Sequence, residues 1–206
     1  MTTDADIIDA LVGIAPGSSL DAIRARRPEA RAHAQATYRA LFAPEAPGTI
    51  SAQERFAVGV FVAGLHDATA IAAAYAGRLA DSRASAALKE AIDAAINEAK
   101  MRGPYGSYPA GPLSQEDTAG PVYRVEAMTR RALGPRLAAA LEHVHMLVFH
   151  PRDAAPAALQ ALLDAGWSTT DIVTLSQIVA FLSFQIRVIA GLRVLAAHPA
   201  PREVAP

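Results

Sequence analysis

Two stretches of this chain share one pattern of apolar and polar positions, and the other segments are arranged around them. The first, residues 51–79, reads SAQERFAVGVFVAGLHDATAIAAAYAGRL. It opens on Ser51-x-x-Glu54, a capping box in which the serine oxygen accepts a first-turn N–H while the glutamate reaches back to the cap. Apolar residues then recur at Val58, Phe61, Val62, Leu65, Ala68 and Ala72, which predicts one long helix buried on most of its surface. The second stretch, residues 168–195, reads STTDIVTLSQIVAFLSFQIRVIAGLRVL. Laid on the first, Ser168 falls on Ser51, Asp171 on Glu54, Val179-Ala180 on Val62-Ala63 and Leu182 on Leu65. Two like helices with like caps predict a duplicated helical unit in an all-α fold.

The intervening pattern fills in the rest. Residues 1–50 form an N-terminal helical arm: Ile7, Ile8, Leu11 and Val12 make one short amphipathic turn of helix, Ser18-Ser19 cap another, and Pro28 starts a third carrying Ala34, Tyr38 and Leu41. The arm is expected to pack on the first core helix or on a neighbouring subunit. Residues 51–102 are the first helical repeat, its second helix capped at Asp81-Ser82, striped with Ala87, Leu88, Ala91, Ile92, Ala95 and Ile96, and ended by Gly103. Residues 103–122 are a long Gly/Pro/Tyr loop, either a connector covering the bundle or a binding lid. Residues 123–198 are the second repeat, with helices over 123–133 and 136–149 and a short one that starts at Asp153 and Pro156 and closes at Gly166. Residues 199–206 are a tail. No alternating β pattern of useful length occurs, and a single domain accounts for the whole.

Composition narrows the function. Of 206 residues, 52% are apolar and 19% charged, which excludes a disordered chain. A net charge of −1 with scattered basic residues offers nucleic acid no footprint. The start, MTTDADIID, lacks the basic and apolar regions of a signal peptide, so a cytoplasmic location is expected. Residues 172–195 are long enough to span a bilayer, but Ser176, Gln177, Ser183, Gln185 and Arg187 interrupt them, and the core of a bundle is the better reading, with no membrane partner. The absence of cysteine removes disulfides, thiolate metal sites and thiol nucleophiles.

The helix pair, the ERxxAV…VAGL start and the matching GWSTTDIVTLSQIVAFL half resemble the carboxymuconolactone decarboxylase and AhpD-like alkylhydroperoxidase superfamily, in its two-repeat, peroxidase-related branch. The resemblance is strongest over residues 50–80 and 155–196. It implies an AhpD-like helical bundle that assembles into a homo-oligomer, a trimer or hexamer. Peroxidase members of that superfamily carry a glutamate, a Cys-x-x-Cys pair and a histidine. Aligned through VAGL, those four places are Phe56, Ala68, Ile71 and Tyr75 in the first stretch, and Val173, Gln185, Val188 and Leu192 in the second. No role is filled in either, so thiol peroxidase chemistry is withdrawn. The decarboxylase branch implies that such a fold hosts cofactor-free acid–base chemistry.

The expectation is therefore a protein that binds a small organic ligand, needs no cofactor, and moves protons with lyase- or isomerase-type chemistry. A non-catalytic accessory scaffold working with a catalytic relative is the competing reading. Haem or flavin has no fingerprint here. Candidate catalytic residues are His66, Tyr75, His145 and Glu54; Glu54 is more simply the capping acid, Tyr75 a buried tyrosine with a satisfied hydroxyl, and His66 a half-exposed helix histidine. Candidate ligand contacts are Tyr105 and Tyr108 from the loop, with Gln177 and Gln185, which need partners inside so apolar a helix. The expected pocket lies near Ala68 and Tyr75. His143, His145 and His150 invite a metal reading, which their spacing disfavours, since helical ligand pairs use i,i+3 or i,i+4.

Overall fold

Residue 51 onward folds as its pattern requires for fourteen residues and then departs from it. In the computed structural model, described over residues 5–198, α4 (Ala52–Leu65) starts on the capping box, with the Ser51 N–H donating to Glu54 Oε2 at 2.8 Å. It is buried almost all round, through Val58, Phe61, Val62 and Ala63 among others. The expected single helix over 51–79 is instead two. Asp67 adopts the left-handed conformation (φ 52°), and the Ala68 N–H donates to the Ala63 carbonyl (2.9 Å) and the Asp67 N–H to that of Gly64 (3.1 Å). That Schellman pair ends α4 without a glycine at the turn, because aspartate tolerates the left-handed region better than most residues. A new helix, α5 (Thr69–Asp81), folds back against α4. Gly59 permits this: a Cβ there would stand 2.7 Å from Cδ1 of the Tyr75 ring.

The second stretch keeps its continuity. α10 (Thr169–Ala197) runs 29 residues from a capping box formed by Ser168 and Asp171. It packs on α4 and α8 (Pro135–Phe149), and on α1 (Ile7–Val12), α2 (Ser19–Ala25), α3 (Pro28–Phe42) and α9 (Pro156–Asp164). α6 (Ala86–Ala99), capped by Ser85 rather than at 81–82, and α7 (Ala127–Leu133) complete the bundle. Among the described residues there are ten α-helices, two 3-10 turns and no strand beyond one isolated bridge, Gly106 to Thr118. The fold is all-α.

The N-terminal arm packs on its own chain: Ile8, Leu20, Tyr38, Leu41 and Phe42 join the same core as α4 and α10. Arg24 pairs with Asp6 and Asp9, and Arg31 with Asp9 and Asp21, which ties α1, α2 and α3 together. Arg55 then holds the linker to α4. Its guanidinium donates to the carbonyls of Leu41 (2.6 Å), Pro47 (2.7 Å) and Ile50 (3.2 Å), inside the protein.

Equivalent positions of the two stretches meet. The capping acids Glu54 and Asp171 both face Arg136 of α8, at 2.7 Å from Nε and 3.6 Å from Nη2; the second is an ion pair too long to be a hydrogen bond. The Arg136 guanidinium also stacks over Trp167 at 4.2 Å. Twelve residues on, roughly 18 Å along the helix, His66 Nε2 lies 3.4 Å from the hydroxyl of Ser183, its equivalent. α4 and α10 therefore run side by side in the same direction. α10 is also the one helix among the described residues long and apolar enough, by length and composition, to cross a membrane. Here its inner side, from Ile172 to Leu192, is core.

Candidate functional site

Three of the eight candidate residues are committed to structure. Glu54 accepts from the Ser51 backbone and hydroxyl and pairs with Arg136. Tyr75 is enclosed by Phe42, with ring centroids 5.1 Å apart, and by the backbone of Gly59; its hydroxyl donates to Gln185 Oε1 at 2.8 Å. Gln185 is fully buried, with Nε2 unpartnered. The first stretch's Tyr75 thus reaches across to the second stretch's Gln185, but none of the cavities described below is bordered by Ala68 or Tyr75, where a pocket was expected. Burial drives the Tyr75 hydroxyl well above the ordinary phenol range.

The other candidates are spread out. His66 ends α4, half-buried, its pKa lowered first by burial and then by Arg187. Gln177 faces solvent and needs no internal partner. Tyr108 is half-buried under Arg152, whose guanidinium sits 4.1 Å from the ring centroid. Tyr105 is buried and stacks on His150 at 4.7 Å and 15°, its hydroxyl donating to the Pro121 carbonyl at 2.7 Å. His145 is fully buried between Tyr123 (4.9 Å), Phe149 (4.8 Å) and the edge of His150 (5.8 Å).

The structure thus gathers Tyr105 and His145 around a residue read only as a discarded metal ligand. His150 caps α8 and leads into the 3-10 turn Pro151–Asp153. That turn brings Asp153 Oδ2 to 3.1 Å from His150 Nδ1, while Asp153 Oδ1 accepts the Ser107 N–H at 2.9 Å. Gly106 leaves the room for this: it has φ 111°, and a Cβ there would fall 2.8 Å from the Asp153 carboxylate. In the neutral ring, a carboxylate facing Nδ1 favours the proton on that nitrogen and leaves the lone pair on Nε2. That Nε2 is buried and has no protein partner.

His150 borders a cavity of about 260 Å³ between α8, α9 and the segment 122–124. Tyr123, Ala139, Met146 and Ala158 give it apolar walls, and His143 presents a second imidazole. His143 is buried with neither ring nitrogen hydrogen-bonded, and burial lowers its pKa, which keeps it neutral at pH 7. Glu142 fixes the rim by accepting the Val125 N–H (2.9 Å) and pairing with Arg124 (3.2 Å) and Arg130. On α8, His143 and His145 point to different sides, as their spacing requires. Among the described residues no group of three His, Asp or Glu lies close enough to hold a metal ion.

In the sequence His143 and His150 were weighed only as metal ligands and set aside. One local signal was present: His150 and Asp153 sit at i,i+3 across a proline, the reach of a carboxylate that orients an imidazole. The chain matches no family model, no curated protein and no solved structure.

Proposed function

We propose that this protein binds a small, largely apolar organic ligand in the cavity between α8 and α9 and moves a proton on it without a cofactor. The observation that supports this reading is the pair of imidazoles in one cavity wall, His143 and His150, with buried ring nitrogens that no protein group satisfies. Buried polar atoms ordinarily find partners, and unpaired ones on residues that line a cavity fit a ligand that supplies them. His150 Nε2 is the base: it takes a proton from the ligand, and Asp153 stabilises the imidazolium through Nδ1–H. His143, neutral, hydrogen-bonds the ligand's polar atom. Tyr105 holds the His150 ring by stacking, and His145 supports its edge.

In this reading the chain is a thiol-free relative of the carboxymuconolactone decarboxylase and AhpD-like proteins, cytoplasmic and homo-oligomeric as a trimer or hexamer. Exposed apolar side chains along α10 support association: Val173, Phe184 and Val194 are 57%, 49% and 61% exposed. A second reading, an accessory scaffold for a catalytic relative, draws on the closed Tyr75–Gln185 contact, where the resembling enzymes keep their reactive groups.

Phenol is a suitable probe, since it joins an apolar ring to one acidic O–H. It is expected to shift the NMR signals of His143, Met146 and His150 saturably, with toluene binding more weakly. His150→Gln is expected to weaken phenol by about tenfold, the worth of one buried hydrogen bond. Equal binding of phenol and toluene, with no effect of His150→Gln, removes His150 from the site.

A further inference from the structure

A second groove, about 390 Å³, opens along α10 and meets α8 through Leu147 and Val148, whereas the histidine cavity meets it through His143 and Met146. Its walls are apolar, with Val179 and Pro104 added to those two, and among the described residues Arg187 is the only charged one lining it. Arg187 has one hydrogen bond among the described residues, from Nη1 to the Ser183 carbonyl at 2.8 Å, and no Asp or Glu pairs with it. The guanidinium is thus tethered at one corner, with the Nε–H and an Nη2 N–H left as parallel donors. That edge matches the two oxygens of a carboxylate.

The rest of the groove argues against a more highly charged ligand. The Ser176 hydroxyl proton is spent on the Ile172 carbonyl at 2.9 Å, and Ser183 already faces His66. Among the described residues no second cation lines the groove to neutralise a phosphate dianion. The Arg187 charge is felt nearby, since it lowers the His66 pKa alongside burial.

We propose that this groove binds a small amphiphilic monocarboxylate, its carboxylate on the Nε–Nη2 edge of Arg187 and its hydrocarbon body against Leu147, Val148 and Val179. This site is separate from the histidine cavity, and the two assignments stand or fall apart.

Octanoate and octanol test it in the full chain by NMR titration. Octanoate is expected to shift Val148, Val179, Ser183 and Arg187 saturably while leaving His143 unmoved. Octanol lacks the charge and is expected to bind at least about tenfold more weakly, and Arg187→Gln, on the surface and without an internal ion pair, is expected to cost octanoate a similar factor. Ala180→Asp, at an exposed position lining the same groove, supplies a second variant that places a like charge beside the carboxylate and is expected to abolish binding; its fold is checked by the unchanged His143 signal. Equal affinity for octanoate and octanol, retention of binding in Arg187→Gln, or no shift at all overturns the proposal. So does a shift of these same signals with protein concentration and not with octanoate, which assigns the groove to a second copy of the chain.

Discussion

Arg55→Met is expected to lower the folding stability by about 3 kcal/mol, and the melting temperature by roughly 10 °C for a chain of this size. Arg55 is 4% exposed, and its three bonds run to carbonyls of Leu41, Pro47 and Ile50, which close the end of α3 and the linker onto α4. Methionine keeps most of the stem volume, so the loss reports the donors rather than a cavity. Two effects oppose. Each carbonyl left unsatisfied costs about 1–3 kcal/mol, whereas removing a guanidinium that burial already disfavours returns part of that. The lost bonds win because there are three of them. Urea unfolding at neutral pH measures the difference; a loss below about 1 kcal/mol would mean that water reaches those carbonyls.

The second large effect is acid sensitivity set by His145. Enclosed by Tyr123, Phe149 and His150, its imidazole is pushed down to about 4, first by burial and then by His150, with the Ala99 backbone carbonyl opposing weakly. An unfolded histidine titrates near 6.5. Between those values the unfolded chain binds the extra proton, so stability falls as the pH drops. The contribution is complete above pH 6.5, declines through about pH 4, and is then exhausted. It amounts to about 3 kcal/mol at most. His143 and His66 are lowered in the same sense and steepen the slope. The depressed carboxylates Asp21 and Asp171 act below their ordinary value of 3.8, so the two windows are separable. Unfolding measured at pH 7, 5.5 and 4.5 is expected to show the decline in the native protein and a shallower one in His145→Phe, which leaves no buried ring nitrogen behind. Parallel slopes in the two proteins would mean that His145 reaches a proton partner in the folded state.

How much of this was legible in the sequence follows from the range of each interaction. Both capping boxes were, because Ser51 and Glu54, or Ser168 and Asp171, lie three residues apart and satisfy each other. The all-α class was, because apolar periodicity is local. The break at 66–68 was hidden: Asp67 turns the chain without glycine or proline, and the apolar run continues across it. Gln177 and Gln185 look alike in sequence, yet one faces solvent and the other faces Tyr75, a choice made by the neighbours of α10. The role of Arg136 between Glu54 and Asp171 depends on contacts 35 or more residues away. The His150–Asp153 pair was within local reach, but His150 was weighed only as a metal ligand with His143 and His145, and the pair's partners Tyr105 and Ser107 come from a loop whose course no periodicity predicts.

The proposed function turns on whether the His150 Nε2, which has no protein partner, accepts a hydrogen bond from a ligand. The most direct measurement is a long-range proton–nitrogen NMR spectrum of the histidine side chains at pH 7, with and without phenol. The account predicts His150 as the Nδ1–H tautomer, held by Asp153, with the Nε2 signal moving toward a hydrogen-bonded value as phenol saturates. An Nε2–H tautomer, or an Nε2 signal indifferent to phenol while the remaining protein responds, would contradict it.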